Sequence, residues 1–237
     1  MLYRISIYDI NTKTPKATFN MRHGFQLFVS LGLLLLSPIA VAQTNAEPAP
    51  YRLVMLGDSL TAGFNLPDDA GLPAALDRAL EARGYGWVEV INAGVSGDTT
   101  EAGLARFNFS VGPDADGVLI ALGANDALQG QSPALARENL TTMVEMGQAR
   151  ALDMALAGMI SPLNMGREYR DEFDGMYLEI SESHAVPLYP FLLEAVALES
   201  TLLMGDGMHP TARGVEAIAE PLADFMIANL FADMDER

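Results

Sequence analysis

The sequence has no cysteine, and its only two lysines, Lys13 and Lys16, lie near its start. Without a thiol there is no disulfide framework, no thiolate metal site, no cysteine nucleophile and no lipid-modified cysteine anchor. Basic side chains are scarce overall. Lys and Arg total 14 against 31 Asp and Glu, a formal charge of -17. Phosphate backbones and anionic lipid surfaces both need clustered Lys and Arg, so this balance argues against nucleic-acid partners and against docking on acidic membranes. Histidine occurs three times and tryptophan once. Two nucleotide-binding signatures, G-x-x-x-x-G-K and G-x-G-x-x-G, are also missing.

The shortage of positive charge is uneven. Residues 1–42 hold Arg4, Lys13, Lys16 and Arg22 against one acid, Asp9. Subtracting those four bases and one acid leaves ten bases, all arginine, against 30 acids, a formal charge of -20. The basic end has the form of an export signal. Met21-Arg22-His23 opens a short positive stretch, Leu27 to Ile39 is almost wholly apolar, and Ala40-Val41-Ala42 has the small-x-small pattern of a cleavage site. A membrane span needs about 20 apolar residues, and Pro38 with the cleavage pattern cuts this run short. We therefore expect an upstream extension plus signal peptide over 1–42, with translation starting at Met21 and cleavage after Ala42. Export implies a periplasmic or secreted protein, with no stable membrane span once the signal is removed. Residues 43–50, rich in Pro and Ala, are expected to form a disordered lead-in to one domain over 51–237.

Within that domain, short apolar runs alternate with helical patterns. Tyr51–Leu56, Val88–Ile91, Val118–Leu122, Met154–Ala157 and Val186–Tyr189 read as strands. Most lack period-two alternation, as in a parallel sheet covered on both faces. Helical stripes are expected at Leu72, Leu76, Ala79 and Leu80, and at Leu135, Leu140, Met143 and Val144 after an N-cap at Ser132 and Pro133. Two more run from Tyr169 through Phe173, Met176, Tyr177 and Ile180, and from Val215 to Met226, the last bent or broken at Pro221. The fold class is α/β: a flavodoxin-like three-layer α/β/α arrangement with a doubly wound, mostly five-stranded parallel sheet. Ligands in such folds bind beyond the carboxyl ends of the strands.

Four segments at those ends carry chemistry, and each also has a plain structural reading. In Gly57-Asp58-Ser59-Leu60 the serine is a nucleophile at a helix start, or the segment is an N-cap. The loop Asn92–Thr100 around Gly97 is a cradle of backbone N–H groups, or a simple strand-to-helix turn. Asn125, in Gly-Ala-Asn-Asp, can aim an amide N–H at an oxyanion, or serve a turn. In Asp206-Gly-Met-His209 the carboxylate can orient the imidazole as a base, or the pair can open a helix. His23 leaves with the signal and His184 ends a helical stripe, so His209 is the candidate base. Two remaining histidines do not make a multi-histidine zinc site.

Taken together and in order, Gly57-Asp58-Ser59-Leu60, Gly97 in Val-Ser-Gly-Asp-Thr, Asn125 in Gly-Ala-Asn-Asp and Asp206-x-x-His209 resemble the GDSL or SGNH hydrolases. Within that family the sequence is most similar to the bacterial periplasmic thioesterase I, lysophospholipase and arylesterase group, through Leu-Gly-Asp-Ser-Leu-Thr-Ala-Gly, Asp-Gly-Met-His-Pro and the stretch Ser161–Tyr169. It departs at Ala124, where glycine or threonine is frequent, and at Pro162-Leu-Asn164 in the substrate loop. The resemblance implies Ser59 as nucleophile, His209 as base and Asp206 as its orienter. It implies an oxyanion hole from the backbone N–H groups of Ser59 and Gly97 and the amide of Asn125. It implies no metal or organic cofactor, and a small acyl ester or thioester as substrate. Leu163, Met165, Arg167 and Tyr169 are candidate substrate contacts, with core packing or a solvated helix start as their alternatives. Asp58 is expected to brace the nucleophile turn or cap the next helix. Two other functions stay open: a carbohydrate O-acetylesterase on the same fold, and a non-catalytic flavodoxin-like binding module.

Overall fold

The computed structural model describes residues 49–234. The upstream extension, the signal with its expected cleavage at Ala42, and the lead-in before Ala49 lie outside the described residues. Five strands, β1 (Tyr51–Gly57), β2 (Val88–Gly94), β3 (Gly117–Ala121), β4 (Asp153–Ala157) and β5 (Leu188–Tyr189), form one parallel sheet in the order β2-β1-β3-β4-β5. All five residues of β3 are buried, as are Leu53 to Gly57 of β1, which accounts for their unbroken apolar runs. The register is level at the carboxyl end: Gly57 lies opposite both Gly94 and Ala121. Strand order reverses between β1 and β3, so the segments leaving β1, β2 and β3 open around one crevice.

The longer helices are α2 (Leu72–Glu81), α3 (Thr100–Ser110), α5 (Pro133–Ala149), α6 (Arg167–His184) and α7 (Ala212–Met226), with short α1 (Ser59–Ala62) and α4 (Ala124–Gln129) at the crevice. They form two packed sets, α2 with α7, and α5 with α3 and α6, completing the three-layer α/β/α fold expected from the alternation. The stripe Leu72, Leu76, Ala79 and Leu80 of α2 is buried, each leucine stabilising by about 1.5–3 kcal/mol. It meets Val215, Ile218, Ala219, Leu222 and Met226 of α7 within one continuous core. Arg78 bonds Glu216, and Arg83 bonds both Glu220 and Asp224, at the rim of that contact.

The structure corrects one local expectation, at Leu135, and refines two others. The last helix runs unbroken through Pro221, which falls on its exposed face, where water can satisfy the carbonyl that loses an N–H partner. Leu135 points outward, 58% exposed, because the inner stripe of α5 is Ala136, Leu140, Met143, Val144 and Gly147. Ser132 does occupy the N-cap position before Pro133, yet its hydroxyl makes no capping hydrogen bond.

Candidate active site

The turn that carries Ser59 follows from local chemistry. The strand β1 ends at Gly57, and Asp58 caps α1 by accepting the Leu60 N–H at 3.0 Å. Ser59 is thus the first helical residue, and its own N–H is among those a helix leaves unpaired. The Asp58 carboxyl is buried, and desolvation pushes its pKa up to about 6. Its second oxygen accepts the Asn125 amide at 3.3 Å. The reading of Asp58 as brace and cap matches this geometry.

His209 arrives from the far end of the chain. Its Nε2 lies 2.9 Å from Ser59 Oγ, and its Nδ1 lies 2.7 Å from Asp206 Oδ2. The other Asp206 oxygen accepts the backbone N–H groups of Met208 and His209, at 2.9 and 3.0 Å. Those bonds, with the imidazole, hold the Asp206 carboxyl down at about 2. An ionised Asp206 on Nδ1 assigns the ring proton there and leaves Nε2 free to accept from the serine. The segment is pinned from both sides. Met204 N donates to the His209 carbonyl at 2.7 Å, and Thr211 caps α7. The Phe64 ring lies 4.4 Å from the imidazole, centroid to centroid.

The remaining two segments reach the same crevice. Gly97 adopts φ +89, a conformation in which a side chain is strained. Gly123, at φ +121, sits where an added Cβ would strike the Tyr177 hydroxyl, so the turn from β3 into α4 demands glycine. Asn125 in α4 donates its amide to the Asp98 carbonyl at 2.9 Å. Asp126 beside it is buried and accepts the Thr100 N–H at 2.8 Å and hydroxyl at 2.6 Å, joining α4 to α3; burial raises its pKa. Beneath these loops Arg106 bonds Asp98 at 2.6 Å and the carbonyls of Gly57 and Ala93, both at 2.9 Å.

An open cavity of about 870 Å³ covers this cluster. Ser59, Gly97, Asn125 and His209 line it beside an apolar wall that includes Phe64, Ile160, Leu193, Val196 and Met208. Of the four candidate substrate contacts, only Leu163 lines the cavity. Met165 leans toward Gly130, Arg167 is solvated and pairs with Asp171, and Tyr169 stacks on Phe173 against the core. No periodicity or motif in the sequence marks Phe64 or the apolar wall from Leu193 to Leu203 as cavity lining. Among the described residues, no group of three or more His, Asp or Glu side chains is arranged to hold a metal ion. No helix among them is long and apolar enough to cross a membrane.

The GDSL-like lipase/acylhydrolase family model matches residues 55–217, the span from β1 into α7. An arylesterase of Vibrio mimicus is 37% identical over 78% of this chain and 92% of its own length. Thioesterase 1/protease 1/lysophospholipase L1 of Escherichia coli is 33% identical over 77% of this chain and 86% of its own. The crystal structure of AlinE4, an SGNH-hydrolase family esterase, is 42% identical, covers 76% of this chain and 97% of its own, and superposes with a TM-score of 0.65. The chain belongs to the GDSL-like lipase/acylhydrolase family and is an esterase of that family.

Proposed function

We propose that the chain is an exported serine hydrolase that cleaves carboxylic esters and thioesters of apolar acyl groups through a Ser59-His209-Asp206 triad and an acyl-enzyme. The observation that carries this reading is the continuous relay from Asp206 through both imidazole nitrogens to Ser59 Oγ, opening into an apolar cleft. Ser59 Oγ attacks the carbonyl carbon as its proton passes to His209 Nε2. The backbone N–H groups of Ser59 and Gly97 hold the oxyanion together with the Asn125 amide, which gives up its longer bond, 3.3 Å to Asp58, to do so. As the tetrahedral intermediate collapses, the bond to the leaving oxygen or sulfur breaks and His209 returns the proton to it. Water, deprotonated by the same nitrogen, then attacks the acyl-serine; carboxylate and free Ser59 result. Asp206 stays ionised throughout and stabilises the imidazolium.

The arylesterase, thioesterase and lysophospholipase names of the relatives support the ester and thioester range. The Met21–Ala42 segment supports export, which N-terminal sequencing of the processed protein tests. The apolar wall favours acyl esters over acetylated sugars. The sole tryptophan, Trp87, packs with Tyr51 and Phe231 just before β2, at the end of the sheet opposite the cleft. A chain-length series of p-nitrophenyl esters, with Ser59→Ala as control, tests the assignment. Turnover and fluorophosphonate labelling of the parent, both lost in the variant, are expected. Activity confined to acetyl sugars, or labelling that survives in Ser59→Ala, overturns it.

A further inference from the structure

The cleft is one-sided in its charge. Among the residues lining it the only ionisable ones are Asp58 and His209, both already engaged. Acids adjoin the lining in sequence at Asp98, Asp126, Glu194 and Asp206, of which Glu194 and Asp206 are exposed, Asp126 is buried and Asp98 pairs with Arg106, whereas no arginine stands within three positions of any lining residue. Most of the described arginines are committed elsewhere. Arg52, Arg78, Arg83, Arg137 and Arg167 are ion-paired outside the cleft, and Arg106 is paired with Asp98 beneath the loops. Arg150 bonds the carbonyls of Val111 and Gly112, and neither Arg170 nor Arg213 lines the cavity. The apolar wall at Leu193 and Val196 is carried on a segment that presents Glu194 and Glu199 to solvent.

Resting on the esterase reading above, we infer that this cleft selects substrates by the charge of the leaving group: esters and thioesters whose alcohol or thiol carries no net negative charge. The acyl group meets an apolar surface, whereas the departing part leaves past a rim where Glu194 is exposed and, among the described residues, no arginine lines the cavity. A nucleotide polyphosphate handle finds nothing there to pair with, and the summed acidic field lowers its local concentration. The same acyl group on a small neutral thiol or phenol meets no such opposition. The effect acts on encounter and binding, so it falls on KM and leaves kcat near its value for the neutral ester.

The test compares octanoyl-coenzyme A, octanoyl-N-acetylcysteamine and p-nitrophenyl octanoate, which share one acyl chain. At low ionic strength kcat/KM for the coenzyme A thioester is expected to be at least about tenfold below that of the neutral thioester. That gap should close toward parity near 0.5 M NaCl, as the screening length contracts from about 30 Å to well under about 8 Å. Reversing charge with Glu194→Lys and Glu199→Lys together should raise the coenzyme A rate several-fold. The neutral thioester rate should stay unchanged and report that the variant is folded. Equal or better turnover of the coenzyme A thioester at low salt overturns the inference, as does a gap indifferent to salt and to charge reversal. If p-nitrophenyl octanoate is turned over in either case, the esterase reading survives. If none of the three substrates is hydrolysed, both fall.

Discussion

Arg106 Nε donates to Asp98 Oδ2 at 2.6 Å, and the backbone carbonyl of that same Asp98 accepts the Asn125 amide at 2.9 Å. One guanidinium thereby ties the glycine loop to the proposed oxyanion donor, while its other nitrogens hold the carbonyls of Gly57, the last residue of β1, and Ala93, the next to last of β2. The pair is mostly shielded, with side-chain exposures of 18% and 12%.

Lysine at this position keeps the charge but not the fork that bonds four acceptors at once, Asp98, Gly57, Ala93 and Ser110. Arg106→Lys is expected to lower kcat by about 10- to 100-fold, the scale of a displacement near 1 Å. KM for a neutral ester should hardly move. A steady-state comparison on p-nitrophenyl octanoate checks this, and an unchanged kcat counts against the role.

Asp206 is the exposed member of the relay, yet two backbone N–H groups and the imidazole hold its carboxyl at about 2. Asp206→Asn keeps an acceptor for those N–H groups and removes the charge that selects the imidazole tautomer. A fall in kcat of about 10³–10⁴ is expected, by analogy with buried triads. Because Asp206 ionises so low, no loss of wild-type activity between pH 5 and 4 should trace to it. A pH-rate profile of the wild type beside the variant separates the two contributions.

Asn125→Ala removes one of the three proposed oxyanion donors and should cost about 10²–10³ in kcat. Fluorophosphonate should still label Ser59, because the nucleophile and base are untouched. Intact mass measured over time distinguishes slowed labelling from none.

Asp58 gives a stability prediction with a definite sign. Its folded pKa, about 6, lies above the ordinary value of 3.8, so the folded protein binds this proton more tightly than the unfolded chain does. Its favourable contribution is full below about pH 4 and is lost as pH rises through 6. Asp58→Asn keeps an acceptor for the Leu60 N–H and carries no charge to desolvate. Its unfolding free energy relative to wild type should therefore climb between pH 4 and 7 and level off above, by at most about 3 kcal/mol. Urea unfolding at pH 4, 5.5, 7 and 8 measures this; a difference that is flat across the range refutes it.

These predictions also mark how far the sequence could be read. Ser59, Gly97, Asn125, Asp206 and His209 were legible because each follows a strand end or precedes a helix start, where turn chemistry is local. The sheet was legible because β1 and β3 are buried on both faces. The helix α3 was not, because Thr100, Gly103 and Phe107 make a sparse stripe. Gly103 packs so closely on Leu122 that an added Cβ would collide, a constraint set by a residue 19 positions away. Leu135 fell one step off its stripe, and one step turns a helical side chain by about 100°. Met165, Arg167 and Tyr169 share a segment with Leu163, but which of them meets the cavity depends on how a single 3-10 turn, Leu163–Met165, lies against Gly130. No residue in that segment encodes this by itself.

The helix α7 has a consequence in time as well as space. It docks on α2 through a buried stripe and the bonds of Arg78 and Arg83, and the segment leading into it carries His209 to within 2.9 Å of a serine 150 residues earlier. Contacts of such sequence separation close late, since loop-closure entropy opposes them until the rest of the chain is ordered. A nascent chain that has emerged only as far as α6 therefore holds the proposed nucleophile without its proposed base. On the proposed triad, hydrolytic activity switches on once α7 docks, and its recovery during refolding clocks completion of the whole topology.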